Sequence, residues 1–285
     1  MSEQQPRIIA INNNRLSDED LEELQWAYKH LEFSSFAVRL SNFIGTPIEE
    51  GFRLLPKSWY TQLHSLTEKS IGKSLDIAVQ SMDLVPTTMA HDYLHRMLAV
   101  GAGAVGGFFG PLTLLAELPL MTMLMLRSIA DVAHVQGEDL NDSEARLACM
   151  EVFALGGRTK DDDAADAGYF GIRTMLSLHF SPSLISGGPA FTIPGGVEFV
   201  RAIAARFSVV ISDKAAARMI PVLGAASGAV VNLIFMKHFQ DVARGHFIVR
   251  RLERKYGAEF IRKAYQSVAK QQAGASKEYS PLEGW

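Results

Sequence analysis

Two imidazoles four residues apart, His91 and His95 in HDYLH, share one face of a helix, the spacing by which HExxH metalloproteases hold zinc. The base position carries Asp92, one methylene shorter than Glu, and no third ligand is evident, so no metal site is expected. Glu117 is the only formally charged side chain between Met97 and Leu126, and an ionised carboxylate is costly to bury without partners. At about 100° per residue, Thr113, Glu117, Ser128 and Asp131 fall within about 40° of one direction, with Arg127 about 80° to the side. Further along, Asn232, Ala243, His246 and Arg250 lie near one helical face, while His238 and Asp241 are spaced i, i+3 on another. Two chemistries follow. One is a hydrolase in which Glu117 is the general acid/base, His95, His238 or His246 is its partner, and Arg127 stabilises an anion. The other is a buried polar network of Thr113, Ser128, Asp131, Asn232, His238, Asp241 and Arg250 that fixes helix register or binds a ligand.

Other chemistry-bearing types have plainer readings. Asp161, Asp162 and Asp163 suit a helix N-terminus, where acids complement the macrodipole, better than a cation site. Cys149 stands among apolar residues in RLACMEVFALGG and reads as a small buried hydrophobe. No GxSxG elbow occurs, and GAGAVGG is neither preceded by a convincing strand nor followed by Lys-Ser/Thr, so neither serine catalysis nor nucleotide cradling is expected. No motif calls for a cofactor.

The elements that must position these groups are helices. Residues 1–16 carry Asn and Gln without periodicity and read as a flexible arm. Ser17 with Asp20 forms a capping-box-like start to a helix over about 18–32, Phe36 to Ile44 continues the period until Gly45, and Thr46 and Pro47 open a third short helix. A longer amphipathic helix runs from Pro56 to Met82 with Lys57, Lys69 and Lys73 on its solvent face.

Residues 97–116 are uncharged and long enough to cross a bilayer. Yet five glycines in that stretch each cost about 1 kcal/mol in a helix interior, and Pro111 is best placed at a helix start. The run therefore breaks near Gly107 to Gly110 into a glycine-rich apolar hairpin whose second helix, Pro111 to His134, contains Pro119. Gly137 ends it, and Asp142 or Ser143 starts the next helix, stopped by Gly156 and Gly157. Residues 181–196 hold three prolines and four glycines and form an apolar loop. A helix over about Val197 to Phe207 leads to a short VVI run with strand character, after which Ser212 caps the next region. Arg96-Met97-Leu98 before GAGAVGG and Arg218-Met219-Ile220 ahead of GAASGAV suggest a weak internal repeat. A final helix over about 258–272 precedes a polar tail, 273–285.

Composition sets the outer bounds. The chain has 285 residues, 48% of them hydrophobic, enough for one sizeable core, and the expected fold is all-α: a single helical bundle with the hairpin at its centre. A net charge of -3 provides no basic face for nucleic acid. One cysteine and no secretion-signal pattern point to the cytoplasm. A mean hydropathy of +0.07 is low for a polytopic membrane protein, which leaves peripheral attachment as the expected membrane state.

The blocks HRMLAVGAGAVGGFFG, AELPLMTMLMLRSIADVA, EVFALGG, ARFSVVIS, HFQDVARGHF and RRLERKYG resemble those of EcsC-type bacterial proteins, over most of residues 20–265. The positions that match are His95, Glu117, Arg127, Ser128, Asp131, His238, Gln240, Gly245, His246 and Arg250; His91 falls in no block. The resemblance implies a link to an ABC-transporter or secretion system at the inner face of the membrane, with an inner-membrane lipid or a transport component as partner. Such proteins are sometimes described as peptidases, and the resemblance supplies no mechanism. The expected role is thus a membrane-associated accessory or binding protein, with a hydrolase or a lipid-binding protein as alternatives.

Overall fold

The computed structural model describes residues 10–11, 14–33, 35–45, 47–56, 58–80, 110–157, 168–179, 195–220 and 226–278. Ten helices run through them: α1 (Asp18–Glu32), α2 (Phe36–Ile44), α3 (Glu49–Phe52), α4 (Ser58–Gln80), α5 (Gly110–Val135), α6 (Ser143–Leu155), α7 (Tyr169–Ser177), α8 (Gly196–Met219), α9 (Ala226–Tyr256) and α10 (Ala258–Glu278). The fold is all-α. The N-terminal arm contributes one minimal ladder, Ala10–Ile11 antiparallel to Asn14–Arg15, and Leu16 after it is buried. His91, His95, the glycine-rich arm of the hairpin, the Asp161–Asp163 run and the body of the apolar loop lie outside the described residues.

Local chemistry sets most helix ends where the sequence places them. The Ser17 hydroxyl accepts from the Asp20 backbone N–H at 3.2 Å and donates to its carboxylate at 2.8 Å, starting α1. Gly45, at φ 71°, closes α2 in the left-handed region that glycine enters without strain. Asp142 caps α6 through the Glu144 N–H at 3.0 Å. Two expectations fail. The cap of α3 is Ile48, with no side-chain hydrogen bond. Ser212 is no cap, because α8 continues unbroken from Gly196 to Met219, and it takes in the VVI run, for which the sequence offers no strand partner. β-branched residues lower helix propensity only slightly, and burial of Val210 and Ile211 against the core outweighs it.

The central members are α8 and α9. Helix α8 packs on α2, α3, α4, α5, α6 and α7, and α9 packs on α1, α2, α5, α6 and α10. A single apolar cluster extends from Leu16 to Val268 and includes Trp59, Phe153, Phe207, Phe235, Phe239 and Phe247. Helix α1 is tied to the end of α9 by Asp20, which accepts from Lys255 Nζ and from the Tyr256 hydroxyl, both at 2.7 Å. Burial alone would raise the Asp20 carboxyl, yet these donors and Ser17 bring it down to about 2. The cations at the end of α9 are therefore engaged within the fold. Arg251 pairs with Glu23, Arg254 with Glu138, and Lys255 with Asp20.

Candidate functional site

The polar groups read from the sequence divide among several places. Glu117 meets Arg218 of α8, Oε2 to Nη2 at 3.4 Å, and the same guanidinium donates to Asn232 Oδ1 at 3.2 Å. Arg127 and Asp131 pair along α5 at 3.5 Å, and burial raises the Asp131 carboxyl above its ordinary value. Ser128 accepts from Gln240 Nε2 at 2.9 Å, which joins α5 to α9. The His238 ring donates from Nε2 to the Gly156 carbonyl at 2.9 Å, and burial lowers its pKa to about 4. Asp241 takes Arg39 at 2.8 Å and Lys237 at 2.9 Å. Thr113 lies in α5, but its side chain is outside the described residues, as is His95. The carboxylate that meets His246 is Glu151, not Glu117.

Glu151 lines a cleft of about 380 Å³ between α6, α7, α9 and the start of α10, and the fully buried His246 packs behind it. On α6, Glu151 is the only charged side chain between Arg146 and Gly157, and its side chain is 6% exposed. Its Oε2 stands 3.6 Å from His246 Nε2, and neither atom has a hydrogen-bond partner. Behind them the Tyr169 hydroxyl is 2.9 Å from His246 Nδ1. Arg173, one turn beyond Tyr169 on α7, donates to the Tyr169 oxygen at 3.2 Å and to Glu253 at 2.8 and 3.1 Å.

This chain of bonds holds the His246 ring in place. The Tyr169 oxygen accepts from Arg173, and its hydroxyl shares a hydrogen bond with Nδ1 of His246 whose direction follows the ring's tautomer, while Nε2 is the ring atom next to Glu151. Burial, with the charges of Arg173 and Arg250, holds His246 well below the ordinary imidazole value, and only the Ala148 carbonyl works the other way. The imidazole is neutral at pH 7. Burial pushes the Glu151 carboxyl up to about 7, where Arg173 and Arg250 oppose the shift and Glu253 and Glu144 add to it. A carboxyl balanced near neutrality can both accept and donate a proton.

The walls carry both signs of charge: Arg173, Arg250 and Arg262 against Glu144, Glu253 and Glu259. Arg250 is held by Glu138 at 2.9 Å and by Glu144 at 3.4 Å. Arg262 lies over the Phe170 ring, 5.6 Å from its centroid, and has no acidic partner among the described residues. It is the cation free to receive a ligand anion. Cys149 sits one turn from this region but is fully buried, and burial drives its thiol far up, so it is a core side chain rather than a nucleophile. Among the described residues no cluster of His, Cys, Asp and Glu can hold a metal ion.

His246 and Arg250 were legible as candidates, whereas Glu151, Tyr169, Arg173 and Glu253 were not singled out. Glu151 could have been found by the test applied to Glu117, a lone acid in an apolar run. Tyr169 and Arg173 carry only their i, i+4 spacing, which says nothing about His246 some 77 residues on.

Among curated proteins and solved structures none matches the chain. The EcsC protein family matches it over residues 18–252, which takes in α1, α5, α6 and the whole of the Glu151–His246 pair. The chain belongs to the EcsC protein family.

Proposed function

We propose that the Glu151 cleft is a hydrolytic acid–base site for a small substrate carrying an anionic group. The supporting observation is Glu151 in the lining of the cleft, its buried Oε2 3.6 Å from His246 Nε2 and without a hydrogen bond, with Arg262 on the same lining and no acidic partner among the described residues. Arg262 takes the substrate's carboxylate or phosphate. Ionised Glu151 accepts a proton from water as the water oxygen bonds to the acyl carbon, then returns that proton to the leaving amine or alkoxide. His246, held by Tyr169, keeps Nε2 beside Glu151 and positions it.

Turnover of short peptides and esters bearing a free carboxylate tests this reading. Wild-type activity is expected to rise with pH through about 7 as Glu151 ionises, and Glu151→Gln to slow it by about 10²–10⁴-fold. Equal rates for the two proteins, or no turnover by wild type across the panel, would sink the assignment.

A second reading concerns location. The protein acts at the inner face of the membrane as an accessory to a transport or secretion system, in contact with lipid or with a transport component. It is supported by one apolar stretch of α5, Glu117–Val135, long enough to cross a bilayer and 44% buried among its neighbours. On the same helix Leu120 and Met123 are exposed. Such a stretch is also what a core helix offers, so fractionation decides. The protein should sediment with membranes and be released by carbonate; complete recovery in the soluble fraction before the wash contradicts attachment.

A further inference from the structure

Lys214 is fully buried in α8. Among the described residues its Nζ meets Met121 Sδ at 2.8 Å and the Phe235 ring, whose centroid is 4.1 Å away. A thioether and an aromatic face are weak partners for an ammonium with three donors. The charges it feels are Arg218, one turn further along α8, and Glu117 across on α5; Asp213, next to it in sequence, is instead under the influence of Glu49 on α3. Burial and Arg218 hold the amine well below the ordinary lysine value, with Glu117 alone opposing. The fold thus disfavours the charged form of Lys214.

The charged groups nearest to it reach solvent. Arg218 Nε is buried without a hydrogen-bond partner, while its Nη2 makes only long contacts, 3.4 Å to Glu117 and 3.2 Å to Asn232. The side chains of Glu117 and Arg218 are 28% and 20% exposed, so the pair reaches solvent, and the fully buried Lys214 stands one helical turn away on α8. Two potential cations share one carboxylate, and the groups beside Lys214 Nζ, Met121 and Phe235, are apolar. Met121, unbranched and flexible, is the side chain best able to swing aside.

We propose that Lys214, Arg218 and Asn232 form a site for the acid headgroup of an amphiphile, a single carboxylate or phosphate on an apolar tail, and that Glu117 is the resident carboxylate this headgroup displaces. The ligand anion and one proton from solvent enter together: Lys214–NH2 becomes Lys214–NH3+ and pairs with the anion, while the tail replaces Met121 against Phe235. A headgroup without a tail gains no apolar contact to offset its desolvation. The site is separate from the Glu151 cleft and does not depend on it.

Calorimetry at pH 7.5 in two buffers of different ionisation enthalpy reads both binding and proton uptake. Dodecanoate below its micelle concentration, or phosphatidylcholine vesicles containing phosphatidic acid, should bind wild type with uptake of about one proton, whereas inorganic phosphate and pure phosphatidylcholine should not. Dodecanoate binding places the source among free fatty acids; binding to phosphatidic acid vesicles alone places it in the bilayer. Lys214→Met should weaken binding by about tenfold or more, and Glu117→Gln should tighten it several-fold by removing the competing carboxylate. No binding by wild type, proton uptake near zero, or unchanged affinity in either variant overturns the proposal. Should Lys214→Met fail to fold, the Glu117→Gln affinity and the proton count decide it.

Discussion

Gly157→Ala is expected to destabilise the protein by about 3 kcal/mol or more, because the added methyl has nowhere to go. A Cβ at Gly157 would lie 2.1 Å from the carbonyl oxygen of Arg206, and one at Gly51 would lie 2.0 Å from that of Ala216. Both obstacles are backbone of α8, and no rotamer change relieves them. These two glycines let α3 and the end of α6 approach α8 at two levels, Ala216 and Arg206, and α8 carries Lys214 between them. The same reasoning ranks the neighbours. At Gly156 the obstacle is the Phe239 ring, 2.4 Å away, a side chain that can tilt at some expense to its packing on Phe153 and Phe207. At Gly45 nothing lies within 4 Å, and only the left-handed φ of 71° opposes a side chain, at roughly 1–2 kcal/mol. Denaturant midpoints should therefore fall in the order wild type, Gly45→Ala, Gly156→Ala, then Gly51→Ala and Gly157→Ala. A Gly157→Ala protein as stable as Gly45→Ala would refute the close approach.

Short-range signals were strong in this sequence and long-range ones weak. Ser17, Gly45, Gly137 and Asp142 end or begin helices through contacts within a few residues, and each was readable from residue type and position. The unbroken α8 was not, because the VVI run and Ser212 carry local preferences that the core overrides once Val210 and Ile211 are buried. The site shows the same division. His246 and Arg250 shared a helical face and could be found by periodicity. Their partners come from elsewhere in the chain: Glu151 from α6, Tyr169 from α7, Glu138 from the turn after α5. Periodicity reports which residues share a face, and it does not report what faces them. Glu117 attracted attention as an isolated charge, but its partner is Arg218, and the equally isolated Glu151 holds the position beside His246.

Glu138→Ala should cost about 3–5 kcal/mol, since it removes the acid from a buried network and leaves its cations in place. The Glu138 side chain is 5% exposed and accepts from Arg250 Nε at 2.9 Å and from Arg254. Arg254 also donates to the Gln136 carbonyl at 3.1 Å, so this one carboxylate fastens the turn after α5 to α9. Without it, Arg250, whose side chain is 14% exposed, keeps only Glu144, which is largely in solvent and correspondingly weak. The sign of the pH dependence follows from the direction of the shift. Burial alone would raise the Glu138 carboxyl, but Arg250 and Arg254 outweigh it and hold the group below its ordinary value. Its contribution is then fully present above the unfolded carboxylate pKa and is lost as pH falls through the lower, folded one. The gap between wild type and Glu138→Ala should be widest near pH 7 and close below about pH 4. Glu138→Gln, which keeps the shape and loses the charge, should fall between the two. A double variant that also replaces Arg250 with Met should recover part of the loss, because the penalty is chiefly that of an unpaired buried cation. Urea denaturation of the four proteins at two pH values measures all of this, and a gap under about 1 kcal/mol at pH 7 would show that the network is a surface ion pair rather than a buried clamp.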